Sequence, residues 1–154
     1  MPTYTCYSVK GHLSTDNKRR AAEEITRVHN EITGAATFFA QVLFVELEAE
    51  NYFVGGKPLK GDQVFLNGQI RAGRSALDRT RLLKALHAAL ASAIECEANS
   101  VWVYLNDLPA RDMIEYGHVL PEPGNESKWL AGLPDRDRIR MTETSKLSIS
   151  VLVR

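Results

Sequence analysis

Cysteine is nearly absent from this chain: Cys6 and Cys96 are the only two among 154 residues. Two cysteines so far apart form neither a disulfide framework nor a zinc-ligand pattern. Net charge is absent as well, because 19 Lys and Arg residues balance 19 Asp and Glu residues. Without a charge excess there is no overall field to draw the molecule onto nucleic acid or an anionic membrane. Basic residues do gather at Lys18-Arg19-Arg20 and between Arg71 and Arg81. Acidic residues are interspersed, and the first cluster reads as a solvated helix face. No apolar run approaches the roughly 20 residues that cross a bilayer. The opening Met-Pro-Thr-Tyr-Thr-Cys-Tyr-Ser-Val lacks the basic stretch and apolar core of a secretory signal. A cytoplasmic protein with both thiols reduced is therefore expected. Cys6, alternating with Tyr4 and Ser8, reads as strand packing.

What is present is an ordinary globular composition, 44% hydrophobic and 25% charged, in a length that suits one domain spanning 1–154 with a real core. The order of its elements repeats. A shift of 61 residues lays the alternating run Thr3–Val9 on Val64–Ile70. It lays the helical stretch from Ser14 to Ile32 on Ser75 to Ala93, and Gln41–Glu48 on Trp102–Pro109. Identities across the shift are few (Ser14/Ser75, Arg20/Arg81, Val42/Val103, Gly56/Gly117 among them); the matching order of element types carries the argument. The pseudo-repeats cover about 1–60 and 61–118.

Each copy reads strand, helix, strand. Ala22, Ile25, His29 and Ile32 recur at helical spacing in the first helix, as do Leu82, Leu83, Leu86, Ala89, Leu90 and Ile94 in the second. Ser75 and Asp78 form a capping-box pattern at the second helix's start. A helical crossover of this length makes the two strands of a copy parallel. The expected fold class is α+β: two fused β-α-β units forming a four-stranded sheet with both helices on one face. The other face, with residues such as Phe44 and Trp102 or their alternates, is left bare, which predicts an oligomer. The segment 119–154 is rich in turn residues (Pro121, Pro123, Gly124, Pro134) and reads as irregular structure over an edge or pocket. Its last stretch, Lys146–Arg154, alternates weakly, in the manner of a strand.

The residues that carry chemistry stand in this frame. Pro2 follows the initiator Met, and removal of Met1 would expose a secondary amine. A terminal amine titrates near 7.7–8, close enough to neutrality to act as acid or base. Arg71 and Arg74 stand where the third long strand hands over to the second helix. A helix start favours anions, and two guanidinium forks there could clamp a carboxylate; the plainer alternative is a surface ion pair with Asp78 or a Glu. His29 lies in the apolar stripe of its helix, either as a core histidine or as a donor to a bound oxygen. Taken alone, Tyr104 is strand packing and Glu115 a solvated loop carboxylate. Glu122 and Glu126 are rival carboxylates without matching context.

Order and flanking sequence together give these positions more weight. Pro2 opens Pro-Thr-Tyr-Thr-Cys-Tyr, and His29 sits in Thr-Arg-Val-His-Asn-Glu-Ile-Thr-Gly. Arg71 and Arg74 lie in Ile-Arg-Ala-Gly-Arg-Ser, Tyr104 in Val-Trp-Val-Tyr-Leu, and Glu115 in Met-Ile-Glu-Tyr-Gly, ahead of Leu-Pro-Glu-Pro-Gly124. From Met1 to about Trp129 the chain resembles the tautomerase superfamily, and within it the cis-3-chloroacrylic acid dehalogenase group. That resemblance implies a homotrimer and a small carboxylate substrate, with neither nucleic acid nor membrane as partner. It implies Pro2, Glu115 and Tyr104 as catalytic residues and His29, Arg71 and Arg74 as substrate-binding residues. The implied reaction adds water to a short 3-halo or acetylenic acrylate with no cofactor and no metal. The same Pro2 and arginines would equally serve a keto–enol tautomerase of 2-oxo acids of the phenylpyruvate type, or a small-acid binding protein with little turnover. Hydration needs a cationic Pro2 and tautomerisation a neutral one. Glu115 would raise the amine's pKa and the arginines would lower it.

Overall fold

The computed structural model describes residues 2–59 and 61–150, with side chains described up to residue 144. The elements run β1 (Thr3–Val9), α1 (Thr15–Thr33), β2 (Gln41–Leu47), β3 (Phe53–Val54), β4 (Lys57–Pro58), β5 (Val64–Arg71), α2 (Ala76–Ala93), β6 (Val101–Leu108), β7 (Ile114–Glu115), β8 (His118–Val119), α3 (Glu126–Ala131) and α4 (Asp135–Ser150). The 61-residue shift holds down to the smallest pieces, since the β3–β4 ribbon lands on β7–β8 and each 3-10 turn on its counterpart. The four long strands form one sheet in the order β2-β1-β5-β6. β1–β2 and β5–β6 are parallel, as a helical crossover requires, and the two units join through the antiparallel pair β1–β5.

Local sequence explains the helix ends. Ser14 Oγ accepts the Asn17 amide at 3.0 Å while Asn17 Oδ1 accepts the Ser14 amide at 3.1 Å, a reciprocal cap at the start of α1. Gly34, at φ 68°, stops the helix in the left-handed conformation that glycine adopts without a Cβ penalty. Ser75 Oγ accepts the Asp78 amide at 3.0 Å and starts α2.

Both helices lie on one face of the sheet. Tyr4 and Cys6 of β1 and Val64, Leu66 and Ile70 of β5 pack against Ala21, Ile25 and Val28 of α1 and Leu82, Leu86 and Leu90 of α2. The stripe of α1 is centred one position earlier than the sequence spacing suggests: Ala21 is fully buried and Ala22 only partly. On the opposite face Leu43, Trp102 and Tyr104 remain exposed, while Phe44 points the other way and packs on the core. Strand alternation decides this, since Phe44 shares its parity with Val42.

The C-terminal segment departs from the expectation of irregular structure, and its weak strand-like alternation gives no strand among the described residues. It forms α3 and α4, and α4 runs as helix through Ser150; residues 151–154 lie outside the described residues. Pro134 accepts the Asp137 amide at 3.0 Å, with Asp135 and Asp137 in the first turn where acidic groups favour a helix start. Met141, on α4 itself, is fully buried. A well-started, anchored helix outweighs a weak strand-like alternation. Among the described residues no helix is long and apolar enough to cross a membrane.

Leu86 has no exposed surface, whereas Leu77 is 70% exposed on the same helix. Leu86→Ala should lower unfolding free energy by about 2–5 kcal/mol and Leu77→Ala by less than about 0.5 kcal/mol, measured by denaturant titration.

Candidate active site

The antiparallel register of the central pair sets where the site can be. Thr3 pairs with Gln69, so the start of β1 lies beside the end of β5, the end that carries Arg71. Pro2 immediately precedes that strand and is fully buried, with its carbonyl accepting the Gln41 amide at 3.0 Å. A proline at a strand start gives up no ladder donor. Pro2 also has the sequence parity of Tyr4 and Cys6, the helix-facing residues of β1. Met1 lies outside the described residues.

His29 reaches the same region from the last turns of α1 and is 2% exposed. Its Nδ1 lies 2.7 Å from the Tyr4 hydroxyl, with the two rings edge-on at 5.8 Å. Burial, reinforced by the positive charges of Arg74 and Arg71, pushes its pKa down to about 3. The imidazole is therefore neutral near pH 7 and acts through a hydrogen bond rather than a charge.

Arg71 and Arg74 flank Gly73, the turn that leaves β5. Gly73 has φ 104°, and a Cβ there would lie 2.8 Å from Pro123 Cγ, so the loop after β8 packs directly on it. That loop also engages Arg71, which is 3% exposed. One terminal nitrogen donates to the Pro121 carbonyl at 2.7 Å, and the other makes a short ion pair with Glu126 in the first turn of α3. Arg71 is thus no free fork, and its Nε alone lacks a partner. Arg74 is partly buried, and burial, then the Arg71 charge, hold its pKa below the usual guanidinium range.

Five buried side-chain polar atoms lack a hydrogen-bond partner among the described residues, and three of them gather here: His29 Nε2, Arg71 Nε and Arg74 Nε. Buried polar atoms left unpaired are costly, and both arginine charges act on the His29 ring, which puts the three in one region. Both arginines also line a hollow of about 520 Å³ with Phe38, Phe39, Trp129 and Glu126.

Glu115 lies in the neighbouring hollow of about 770 Å³, with Thr3, Gln41, Met113 and Tyr116. Phe38 and Phe39 line both hollows. The turn after Glu115 is fixed by Tyr116 and Gly117, at φ 53° and 86°, and by the Tyr116 hydroxyl donating to the Phe38 carbonyl at 2.8 Å. Tyr104 stands apart. It is 57% exposed on the bare sheet face, edge-on to Phe65 at 5.0 Å, and lines a different hollow with Arg79 and Leu83. Within one chain the structure gathers Pro2, His29, Arg71 and Arg74, sets Glu115 next door, and leaves Tyr104 on another surface.

In the sequence Tyr4 reads only as part of a strand alternation and Glu126 only as a rival carboxylate; the ion pair of Arg71 with a Glu, the plainer alternative, is present with Glu126. The strand parity of Tyr4 with Cys6 was visible, but its meeting with His29 needs the packing of α1 on β1. Glu126 is separated from Arg71 by 55 positions, and no local motif announces the pair.

The depressed His29 pKa makes a stability prediction. The unfolded histidine, titrating near 6.5, binds a proton that the folded one refuses, so stability is full above about pH 6.5 and falls as pH drops toward 3. The contribution is at most about 1.4 kcal/mol per pH unit across that window. His29→Gln should flatten this part of the pH dependence of denaturant midpoints; an unchanged slope would contradict the assignment.

Comparison with known proteins agrees with this architecture. Residues 1–132 match a family described as "Putative oxalocrotonate tautomerase enzyme". The crystal structure of N1, a member of the cis-3-chloroacrylic acid dehalogenase family, is similar with 33% identity and a TM-score of 0.88, covering 92% of this chain and 99% of that one. Native Ps01740 is 36% identical over 73% of this chain and 99% of its own, with a TM-score of 0.69. A wild-type fused 4-OT that forms an asymmetric trimer is 26% identical with a TM-score of 0.68, covering 76% of this chain and 94% of its own. With a family match over most of its length and such neighbours, this chain belongs to the tautomerase superfamily.

Proposed function

We propose that the chain, once Met1 is removed, is a cofactor-independent enzyme that adds water to short 3-halo or acetylenic acrylate-type acids. The observation that carries this reading is the set of unpaired buried nitrogens, His29 Nε2, Arg71 Nε and Arg74 Nε, near the end of the sheet where Pro2 leads into β1. A carboxylate satisfies such nitrogens, and drawing its charge toward them polarises the attached double bond so that C3 becomes electrophilic. Water adds through its oxygen to C3, its proton passing to Glu115, and protonated Pro2 delivers a proton to C2. Where C3 carries a halogen, the resulting halohydrin collapses to an aldehyde and hydrogen halide.

Tyr104 assists Glu115 in this scheme, and its place on the bare face means that it would do so between copies of the chain. The exposed Leu43, Trp102 and Tyr104 support an assembly, and the trimeric fused 4-OT supports three copies.

One observation favours a second reading, keto–enol tautomerisation of 2-oxo acids. Pro2 precedes β1 beside the end of β5 that carries Arg71, and a positive neighbour favours a neutral amine, which acts as a base.

The pH–rate profile of the processed protein separates these readings. Hydration should decline tenfold per pH unit above the Pro2 pKa, whereas tautomerisation should rise toward a plateau. Pro2→Ala should lower kcat/KM for the working reaction by at least about a hundredfold. Full activity in Pro2→Ala, or an intact mass that retains Met in the active protein, would refute both. Binding of small acids without turnover would leave only a binding protein. Light scattering should give the mass of three chains; a monomer active at the same rate per chain would remove Tyr104 from the scheme.

A further inference from the structure

We infer that Tyr4 is a positioning residue: its hydroxyl donates to His29 Nδ1 and so fixes the imidazole as the tautomer that offers Nε2–H to a bound oxygen. This rests on the proposed binding of a carboxylate beside His29 and adds to it the group that sets the donor.

Counting protons at the Tyr4–His29 contact decides the direction of the bond. Tyr4 is fully buried, and among the described residues its hydroxyl meets no polar partner other than His29 Nδ1, at 2.7 Å. A neutral imidazole carries one N–H, on Nδ1 or on Nε2. If Nδ1 held it, Nδ1–H would donate to the phenol oxygen. The phenol proton would then be buried without an acceptor, and Nε2 would be a bare lone pair. If instead the phenol donates to Nδ1, its proton is satisfied and Nε2 carries the hydrogen. The single remaining unpaired donor of the pair is then Nε2–H, a buried atom without a partner, in company with the unpaired Arg71 Nε and Arg74 Nε. Only this arrangement makes all these orphaned atoms donors, and donors are what a carboxylate takes.

The charge state agrees. Burial holds the histidine pKa near 3, so the ring is neutral at working pH. Burial also pushes the Tyr4 phenol up, so it keeps its proton. An acceptor at Nε2 would face a carboxylate's lone pairs with its own; the tautomer therefore decides whether His29 attracts or repels the substrate.

The backbone makes room for this arrangement at one point. Tyr4 pairs across the sheet with Gly68, where a Cβ would lie 2.6 Å from the Tyr4 ring and 2.8 Å from a Leu105 methyl group. Gly68 has no positive φ to explain it, so the space for the Tyr4 ring is its evident use. Any larger residue must move the ring that holds His29.

The test is nitrogen-detected NMR of the His29 ring in the processed full chain, with and without propionate as an unreactive carboxylate. Protonated Nε2 and unprotonated Nδ1 in the free wild type, with the Nε2–H resonance shifting when propionate is added, are expected. Tyr4→Phe, which keeps the ring and removes the proton, should move His29 toward a mixture of tautomers. It should also raise the propionate dissociation constant and KM by roughly tenfold while kcat falls less than about threefold. Gly68→Ala should act in the same direction. A wild-type His29 protonated on Nδ1 overturns the inference, and this readout needs no variant to fold. A Tyr4→Phe protein with wild-type tautomer and affinity overturns it as well. If the wild type turns over no acid yet shows the Nε2–H form and its propionate shift, the positioning role stands and the proposed reaction fails.

Discussion

The antiparallel pairing of β1 with β5 is the constraint on which the rest of this molecule depends. Each β-α-β unit alone is a strand pair with one helix, too small to bury a core. Joining them side by side through β1 and β5 makes one sheet with both helices on a single face. The same pairing brings the beginning of the chain to the end of β5, so Pro2 lies close to Arg71 although 69 positions separate them in sequence. With a parallel central pair, the residues at the start of β1 and the end of β5 would lie at opposite ends of the strands.

Around that junction the polar groups are arranged by what lies behind them. Tyr4 stands behind His29. Pro121 and Glu126 stand behind Arg71, taking its terminal nitrogens and leaving Nε. Such backing orients a group for an incoming ligand more narrowly than a free surface side chain could manage. The buried Arg71 and its partly exposed Glu126 also tie α3 to the sheet, so the C-terminal segment contributes to the site as well as covering it. Its counterion leaves Arg74 as the less committed of the two guanidinium groups, and the binding of an anion should lean on Arg74 more than the sequence's twin-fork pattern suggests.

Much of the fold was legible because it is periodic. The doubled strand-helix-strand order, the capping serine Ser75 and the alternation of β1 are local or regular signals, and the structure has each of them. The C-terminal helices were not legible in the same way. Their signals are a proline and two aspartates at one helix start and a single buried methionine, Met141, too sparse to set a period. At the candidate site, Pro2 precedes β1 beside the end of β5 that carries Arg71, and the charges of Arg71 and Arg74 act on His29. The pairings of Glu126 with Arg71 and of Tyr4 with His29 were not legible, because the partners are distant in sequence and meet only after packing. Tyr104 shows the opposite limit: its place in the chain was clear, but within one chain it lines a different hollow from Glu115.

The central claim is that Pro2 presents a basic nitrogen to a carboxylate held by the arginine cluster. The most direct measurement is a pH titration of the Pro2 nitrogen in protein labelled with 15N-proline, followed with and without a saturating small carboxylate. The account predicts an amine signal that titrates, with its pKa raised when the anion is bound. An amide nitrogen that does not titrate, or an amine indifferent to the anion, would contradict it.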